Sequence, residues 1–303
     1  MELKLLASMA RGQPGILHHC TDTLVAFEYT RSHVPKPHTL IFVGGLGDSL
    51  GSVDYLNDVI RALDPTQWSV FSLILSCAGG GWGMGRLGKD IDELSQCVSY
   101  VRDYKTPQFG TGKVVIMGHS TGSQDVMHYI NCPNPRPAHP VFDRNWKPIV
   151  RVPVDGAIMQ APVSDREGIL WVVKCGTARD SPAKMRAIYN KAVADARRAT
   201  YDDHDSVDTV VPLSVTSRIG YPPSAPLLVL YSGRDQSVPP WVNKEALLKR
   251  WQTAADGDGR QIWDTRSMVI PNASHALSDS DQAEPRRILV ERVTAYLNDI
   301  QRG

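Results

Sequence analysis

Short apolar runs recur along the chain, separated by glycine- and proline-rich breaks and by stretches with helical spacing. The sharpest is Val114-Val115-Ile116-Met117, apolar at every position, as expected of a strand buried on both faces. It breaks at Gly118, and Val126, Met127 and Ile130 then fall at the spacing of a helix that packs on a sheet. Similar runs predict strands at His38–Val43, Trp68–Leu75, Asp155–Ala161, Leu227–Tyr231 and Ser267–Ile270. The segment from Gly15 to Thr30 predicts one or two earlier strands around a Thr-Asp turn. Helical patterns cover Val53–Leu63, Asp90 to about Tyr104, Val242–Gln252 and Pro285 to about Leu297. Strands that alternate with helices predict an α/β fold: a mostly parallel central sheet with helices on both faces and ligand sites at the strand carboxyl ends.

Two stretches interrupt that rhythm. Cys132 to Pro153 is proline-rich without a period and reads as a surface excursion carrying Arg144 and Trp146. Ser164 to about Arg198 has helical composition, and irregular sequence follows to Pro226. A connection of about sixty residues between two sheet strands is far longer than an ordinary crossover. It predicts an inserted helical cap at 164–222, with residues 1–163 and 223–303 forming the core.

Composition narrows the choice of partners. Of 303 residues, 42% are hydrophobic and 21% charged, and 33 basic side chains balance 32 acidic ones. Mean hydropathy is −0.24. Such a balance gives no electrostatic case for a nucleic-acid or anionic-membrane partner. The opening MELKLLASMARGQPG has too short an apolar patch for a signal peptide, and no later run has the length of a membrane span, so a cytoplasmic location is expected. Cys20, Cys77, Cys97, Cys132 and Cys175 are odd in number, scattered and without a C-x-x-C pair, which indicates neither a disulfide framework nor a zinc site. His18-His19-Cys20 reads as strand rather than metal cluster, because adjacent strand residues point to opposite faces. The Gly44-Gly45-Leu46-Gly47 loop has the wrong order for a dinucleotide fingerprint, so no cofactor is expected.

The chemistry concentrates at strand ends. Gly118-His119-Ser120-Thr121-Gly122 is G-x-S-x-G with a strand before it and a helix after it. The turn lifts Ser120 out of the sheet, and the helix N-terminus behind it favours developing negative charge. A serine that merely caps a helix is the competing reading. Asp235, after Leu227–Tyr231, and His275, after the last strand, complete the order Ser, Asp, His. A serine hydroxyl needs a base, histidine titrates near working pH, and a carboxylate fixes the imidazole tautomer. Asp165 also follows a strand and stands as the alternative acid. His119 is expected to point away from that base, as a structural or pocket-lining residue. Two N–H donors for an oxyanion are expected from Thr121 and from the glycine loop, at Leu46. Gly45, Trp82 in the glycine-rich Ser76–Gly85 loop and Trp171 in the insertion are candidates for substrate contact, with ordinary packing the competing reading for both tryptophans.

The segments GHSTG with SQDVMHY, FVGGLGD, QAPVSDRE and SGRDQSVP together resemble the fungal and plant DUF1749 branch of the α/β-hydrolases, over nearly the whole chain. The run Gly79–Gly81 departs from the usual loop of that branch. The resemblance implies an α/β-hydrolase fold and supports Ser120, Asp235 and His275 as a triad. The branch is similar to fungal siderophore esterases, which implies hydrolysis of ester bonds in fusarinine-type hydroxamate siderophores. A general carboxylesterase, an acyltransferase using the same acyl-enzyme and a non-catalytic binding protein of this fold are the alternatives.

Overall fold

The computed structural model describes residues 12–30, 32–79, 86–138, 147–163, 171, 173–177, 179–200 and 225–303. These contain strands β1 (Gly15–His19), β2 (Val25–Tyr29), β3 (His38–Val43), β4 (Trp68–Ile74), β5 (Val114–His119), β6 (Gly156–Gln160), β7 (Leu227–Ser232) and β8 (Met268–Ile270). The helices are α1 (Leu56–Leu63), α2 (Leu87–Phe109), α3 (Gly122–Asn131), α4 (Pro182–Thr200), α5 (Lys244–Ala255) and α6 (Ala283–Arg302). The described strands form one eight-stranded sheet in the order β1-β2-β4-β3-β5-β6-β7-β8. Its first two pairings are antiparallel, and the rest are parallel.

Alternation along β5 shows how the layers are built. Val114 and Ile116 enter a core shared with α2, α3 and α5, whereas Val115 and Met117 enter one shared with α1 and α6. Both faces are dry, which explains the unbroken apolar run. Each such fully buried aliphatic side chain contributes about 1.5–3 kcal/mol. The order in which the chain adds strands reverses at β3, which pairs in parallel with β4 on one side and β5 on the other. The loops that leave β3 and β5 therefore meet at a topological switch point, where open α/β sheets hold their ligands.

Several helices are longer than the apolar pattern predicts. Helix α2 begins at Leu87 and continues to Phe109, where Gly110 ends it at φ 74°. Its last turns carry Lys105, whose ammonium is buried 2.5 Å from Glu28 Oε1 on β2, so an ion pair rather than an apolar contact fixes that end. Pro107 sits in the final turn. Helix α6 runs on to Arg302, and Gln301 accepts a hydrogen bond from Trp68 Nε1 at 3.1 Å. Helix α1 starts only at Leu56, although Val53 and Tyr55 are already buried. His18 is buried on β1 between Glu28 (3.2 Å) and the Tyr100 hydroxyl (3.0 Å).

Of the expected insertion, α4, Trp171 and residues 173–177 and 179–181 are described; Asp165 and the stretch 201–222 lie outside the described residues. So does most of the expected Ser76–Gly85 loop, including Trp82, as do Arg144 and Trp146. Among the described residues no helix is long and apolar enough to cross a membrane.

Candidate active site

Strand β5 delivers Ser120 into a turn that only glycine neighbours permit. A Cβ on Gly118 would lie 2.2 Å from the Gly122 carbonyl oxygen, and one on Gly122 would lie 2.4 Å from that of Gly44. Ser120 itself is left-handed, at φ 55°, a conformation costly for a side-chain-bearing residue and recurrent at functional turns. The turn is held from below. Ser120 N–H donates to Gln160 O at 3.0 Å, and the Ser123 hydroxyl donates to Gly118 O at 3.0 Å. Helix α3 starts immediately afterwards, so its unpaired N–H groups and positive dipole end lie at the serine.

Strand β7 leads into the turn carrying Asp235, whose side chain is fully shielded. Asp235 Oδ1 accepts from Ser237 N–H at 2.8 Å, and Oδ2 lies 2.8 Å from His275 Nδ1. His275 Nε2 lies 2.8 Å from Ser120 Oγ. A carboxylate only accepts, so Nδ1 carries the proton and Nε2 offers its lone pair to the serine O–H. The histidine loop is fixed through its backbone. His275 N–H donates to Gln236 Oε1 at 3.0 Å, and Gln282 bridges Ser274 N–H (2.8 Å) and Asn272 O (3.1 Å). The three side chains thus form one hydrogen-bonded chain across residues distant in sequence.

Two amides belong to residues that line a cleft at this end of the sheet. Neither Thr121 N–H nor Leu46 N–H has a hydrogen-bond partner among the described residues. Gly45 is pressed against the nucleophile: a Cβ there would lie 2.5 Å from Ser120 Cβ. Its N–H is already engaged by Asp48 Oδ2 at 2.8 Å, so Gly45 N–H is not available as a donor whereas Leu46 N–H is. A cleft opens beside both amides, walled by Gly45, Leu46, Leu75, Cys77, Thr121 and Asp125. Trp171 is half-buried.

His119 does not stand clear of His275. The two rings pack with centroids 5.1 Å apart, and Tyr55 meets the far side of His119 edge-on at 5.6 Å. The pairing of β5 with β6 explains this, because it places His119 opposite Gln160. Gln160 is fully buried, and its Nε2 lies 3.4 Å from His275 O, which can only accept. Its Oε1 therefore faces His119 Nδ1, at 2.5 Å, and that nitrogen carries the His119 proton. Burial, with the adjacent His275 second, pushes the His119 pKa down to about 4, so the ring is neutral at neutral pH. Gln160 and Asp48 are the groups that pattern reading misses. Their signals are faint: a polar residue closing an apolar strand, and an acid after a glycine loop.

An eight-stranded, mostly parallel sheet with a G-x-S-x-G turn at its switch point defines an α/β-hydrolase fold. Within that fold the chain belongs to the DUF1749 family, described as a protein of unknown function, whose family model matches residues 7–226 and 222–298. The chain is 45% identical to the fusarinine C esterase sidJ of Aspergillus fumigatus, over 95% of its own length and 96% of the relative's. It is 44% identical to the esterase AN6793 of Emericella nidulans, over 95% and 93% of the two chains. Among solved structures, the siderophore hydrolase EstB from Aspergillus fumigatus matches with a TM-score of 0.79 and 41% identity, over 97% of this chain and 99% of that one.

Proposed function

We propose that the protein is a serine esterase that hydrolyses ester bonds in hydroxamate siderophores of the fusarinine type. The observation that carries the catalytic part is the chain Ser120 Oγ to His275 Nε2 to Asp235, with both links at 2.8 Å. In this reading Ser120 Oγ attacks the ester carbonyl as its proton passes to His275 Nε2. Asp235 stabilises the imidazolium without itself taking the proton. Thr121 and Leu46 N–H groups hold the oxyanion. His275 then protonates the departing alcohol, and a water activated by the same nitrogen releases the acid from the acyl-enzyme. The substrate class follows from the relatives at 41–45% identity, a fusarinine C esterase and a siderophore hydrolase.

The segment 164–222 is the cap in this reading, with Trp171 and Trp82 as walls of the substrate site. Its described part supports a position over the strand ends. Val163 N–H, just before it, lies 3.5 Å from Ser120 O. Lys174 Nζ stands 4.3 Å from the ring centroid of Trp241, which follows the Asp235 turn. Cytoplasmic residence fits five cysteines that are all unpaired.

Remote contacts across such a cap raise transition-state binding for large substrates. The specificity constant for fusarinine-type hydroxamate esters is therefore expected to exceed that for p-nitrophenyl acetate by about 100-fold, on the order of 2.7 kcal/mol of extra transition-state binding. Steady-state kinetics with mass-spectrometric identification of the acid and alcohol products measures this. Preference for short acetates would leave a general carboxylesterase, and ester products formed with an added alcohol would indicate acyl transfer.

Gly45→Ala tests the packing of the loop on the nucleophile. The added methyl has backbone on one side and Ser120 on the other, so loop or serine must move by roughly 1 Å, which costs about 100-fold in turnover. Hydrolysis of p-nitrophenyl butyrate reads it, and wild-type turnover would show that the loop is free to retreat.

A further inference from the structure

Asp48 is bonded through every polar group it has. Its N–H donates to Gly45 O at 3.0 Å, and its Oδ2 accepts from Gly45 N–H at 2.8 Å. Both backbone polar groups of Gly45 are thus closed onto one residue. This locks the turn Gly45-Leu46-Gly47-Asp48, whose third residue is left-handed at φ 77°. Asp48 Oδ1 accepts from the Ser52 hydroxyl at 2.8 Å, and Asp48 O accepts from Gly79 N–H at 3.0 Å. The side chain therefore joins the glycine turn to the following Ser49–Ser52 turn, while the Asp48 backbone carbonyl ties in the loop after β4. His119 Nε2 lies 3.9 Å from Asp48 Oδ2.

The consequence falls on Leu46. Gly45 is held on both sides, its N–H by the Asp48 carboxylate and its carbonyl, which shares a peptide with the Leu46 N–H, by Asp48 N–H, so that peptide is fixed beside the cleft that Leu46 and Thr121 line. Leu46 is 52% exposed and supplies little packing to hold that peptide. We infer that Asp48 is a positioning residue for the oxyanion donor: its carboxylate, as an acceptor of fixed reach, aims the Leu46 amide. This rests on the serine-esterase reading above and extends it to a residue that never touches substrate.

Three substitutions at Asp48 test the inference, with p-nitrophenyl butyrate as substrate. An aryl trifluoromethyl ketone, which Ser120 would convert to a hemiketal bearing an oxyanion, serves as inhibitor. Asp48→Ala removes the acceptor, and Asp48→Glu keeps the charge but carries it past Gly45 N–H. Both are expected to lower kcat about 100-fold with KM within about threefold, and to weaken the ketone by a similar factor, as loss of one oxyanion donor does. Asp48→Asn keeps an oxygen for Gly45 N–H and should recover kcat to within about fivefold of wild type. A side chain that only stabilised the fold would lower Tm without splitting kcat from KM or weakening the ketone selectively. Wild-type kcat in the Glu variant, or Asn as impaired as Ala, would overturn the inference. Labelling of wild-type Ser120 by a fluorophosphonate is run alongside. Absence of that label overturns the serine-esterase reading itself, whereas labelled enzyme with unaffected Asp48 variants overturns only the role of Asp48.

Discussion

Ser120→Ala is expected to lower ester turnover by about 10⁶-fold in kcat, the scale seen when a serine nucleophile of this kind is removed. The substitution deletes only Oγ, whose described side-chain bond is the one to His275 Nε2 at 2.8 Å. The turn around it does not depend on that oxygen. It is held by Ser120 N–H on Gln160 O, by Ser123 N–H on Ser120 O and by the Ser123 hydroxyl on Gly118 O. Alanine has the same Cβ as serine, so the left-handed backbone at φ 55° is no more strained than before. Tm should stay within about 3 °C of wild type, as for a substitution that neither opens a cavity nor buries an unpaired group. Turnover with p-nitrophenyl butyrate and labelling with a fluorophosphonate measure the outcome together. Residual activity above a few per cent would place the nucleophile elsewhere, as would labelling of another residue in the wild-type protein.

The strands that deliver Ser120 and Asp235 were legible because each is buried on both faces and so reads as an apolar run. Val114–Met117 and Leu227–Tyr231 are those runs, and their ends put Ser120 and Asp235 where they lie. What such runs do not reveal is which strand lies beside which. That β3 borders β5 brings Gly45 against Ser120, and that β5 borders β6 sets His119 opposite Gln160. The expected direction of the His119 ring fails for this reason, since a cross-strand partner forty-one residues away, not the place in the motif, decides it, while its structural part stands. Polar anchors escaped for a related reason. Lys105 extends α2 through an ion pair with Glu28, and Asp48 holds a turn through backbone bonds, and neither leaves a hydrophobic period. Between β6 and β7 the helical composition matches the helix at Pro182–Thr200, but neither length nor composition says where such a segment packs.

Asp235→Asn is expected to lower kcat by about 10⁴-fold, through the wrong imidazole tautomer rather than through lost structure. The bonds around residue 235 dictate how an asparagine must sit. Ser237 N–H donates to Oδ1 at 2.8 Å and needs an acceptor there, so the amide oxygen takes that position. The amide nitrogen is then left facing His275 Nδ1, where it can only donate. His275 responds by moving its proton to Nε2, and a protonated Nε2 cannot accept the proton of Ser120 Oγ. The His275 backbone is held independently by Gln236 and Gln282, so ring position and fold should be retained. Asp165→Asn should cost far less, because the Asp235 carboxylate already occupies His275 Nδ1. Steady-state kinetics of the two variants separates them, and nitrogen-15 chemical shifts of the imidazole report the tautomer directly. A large loss in Asp165→Asn with near-normal Asp235→Asn would transfer the acid role to Asp165. An Asp235→Asn enzyme that is slow while His275 keeps its proton on Nδ1 would mean that the carboxylate acts through its charge on the imidazolium alone.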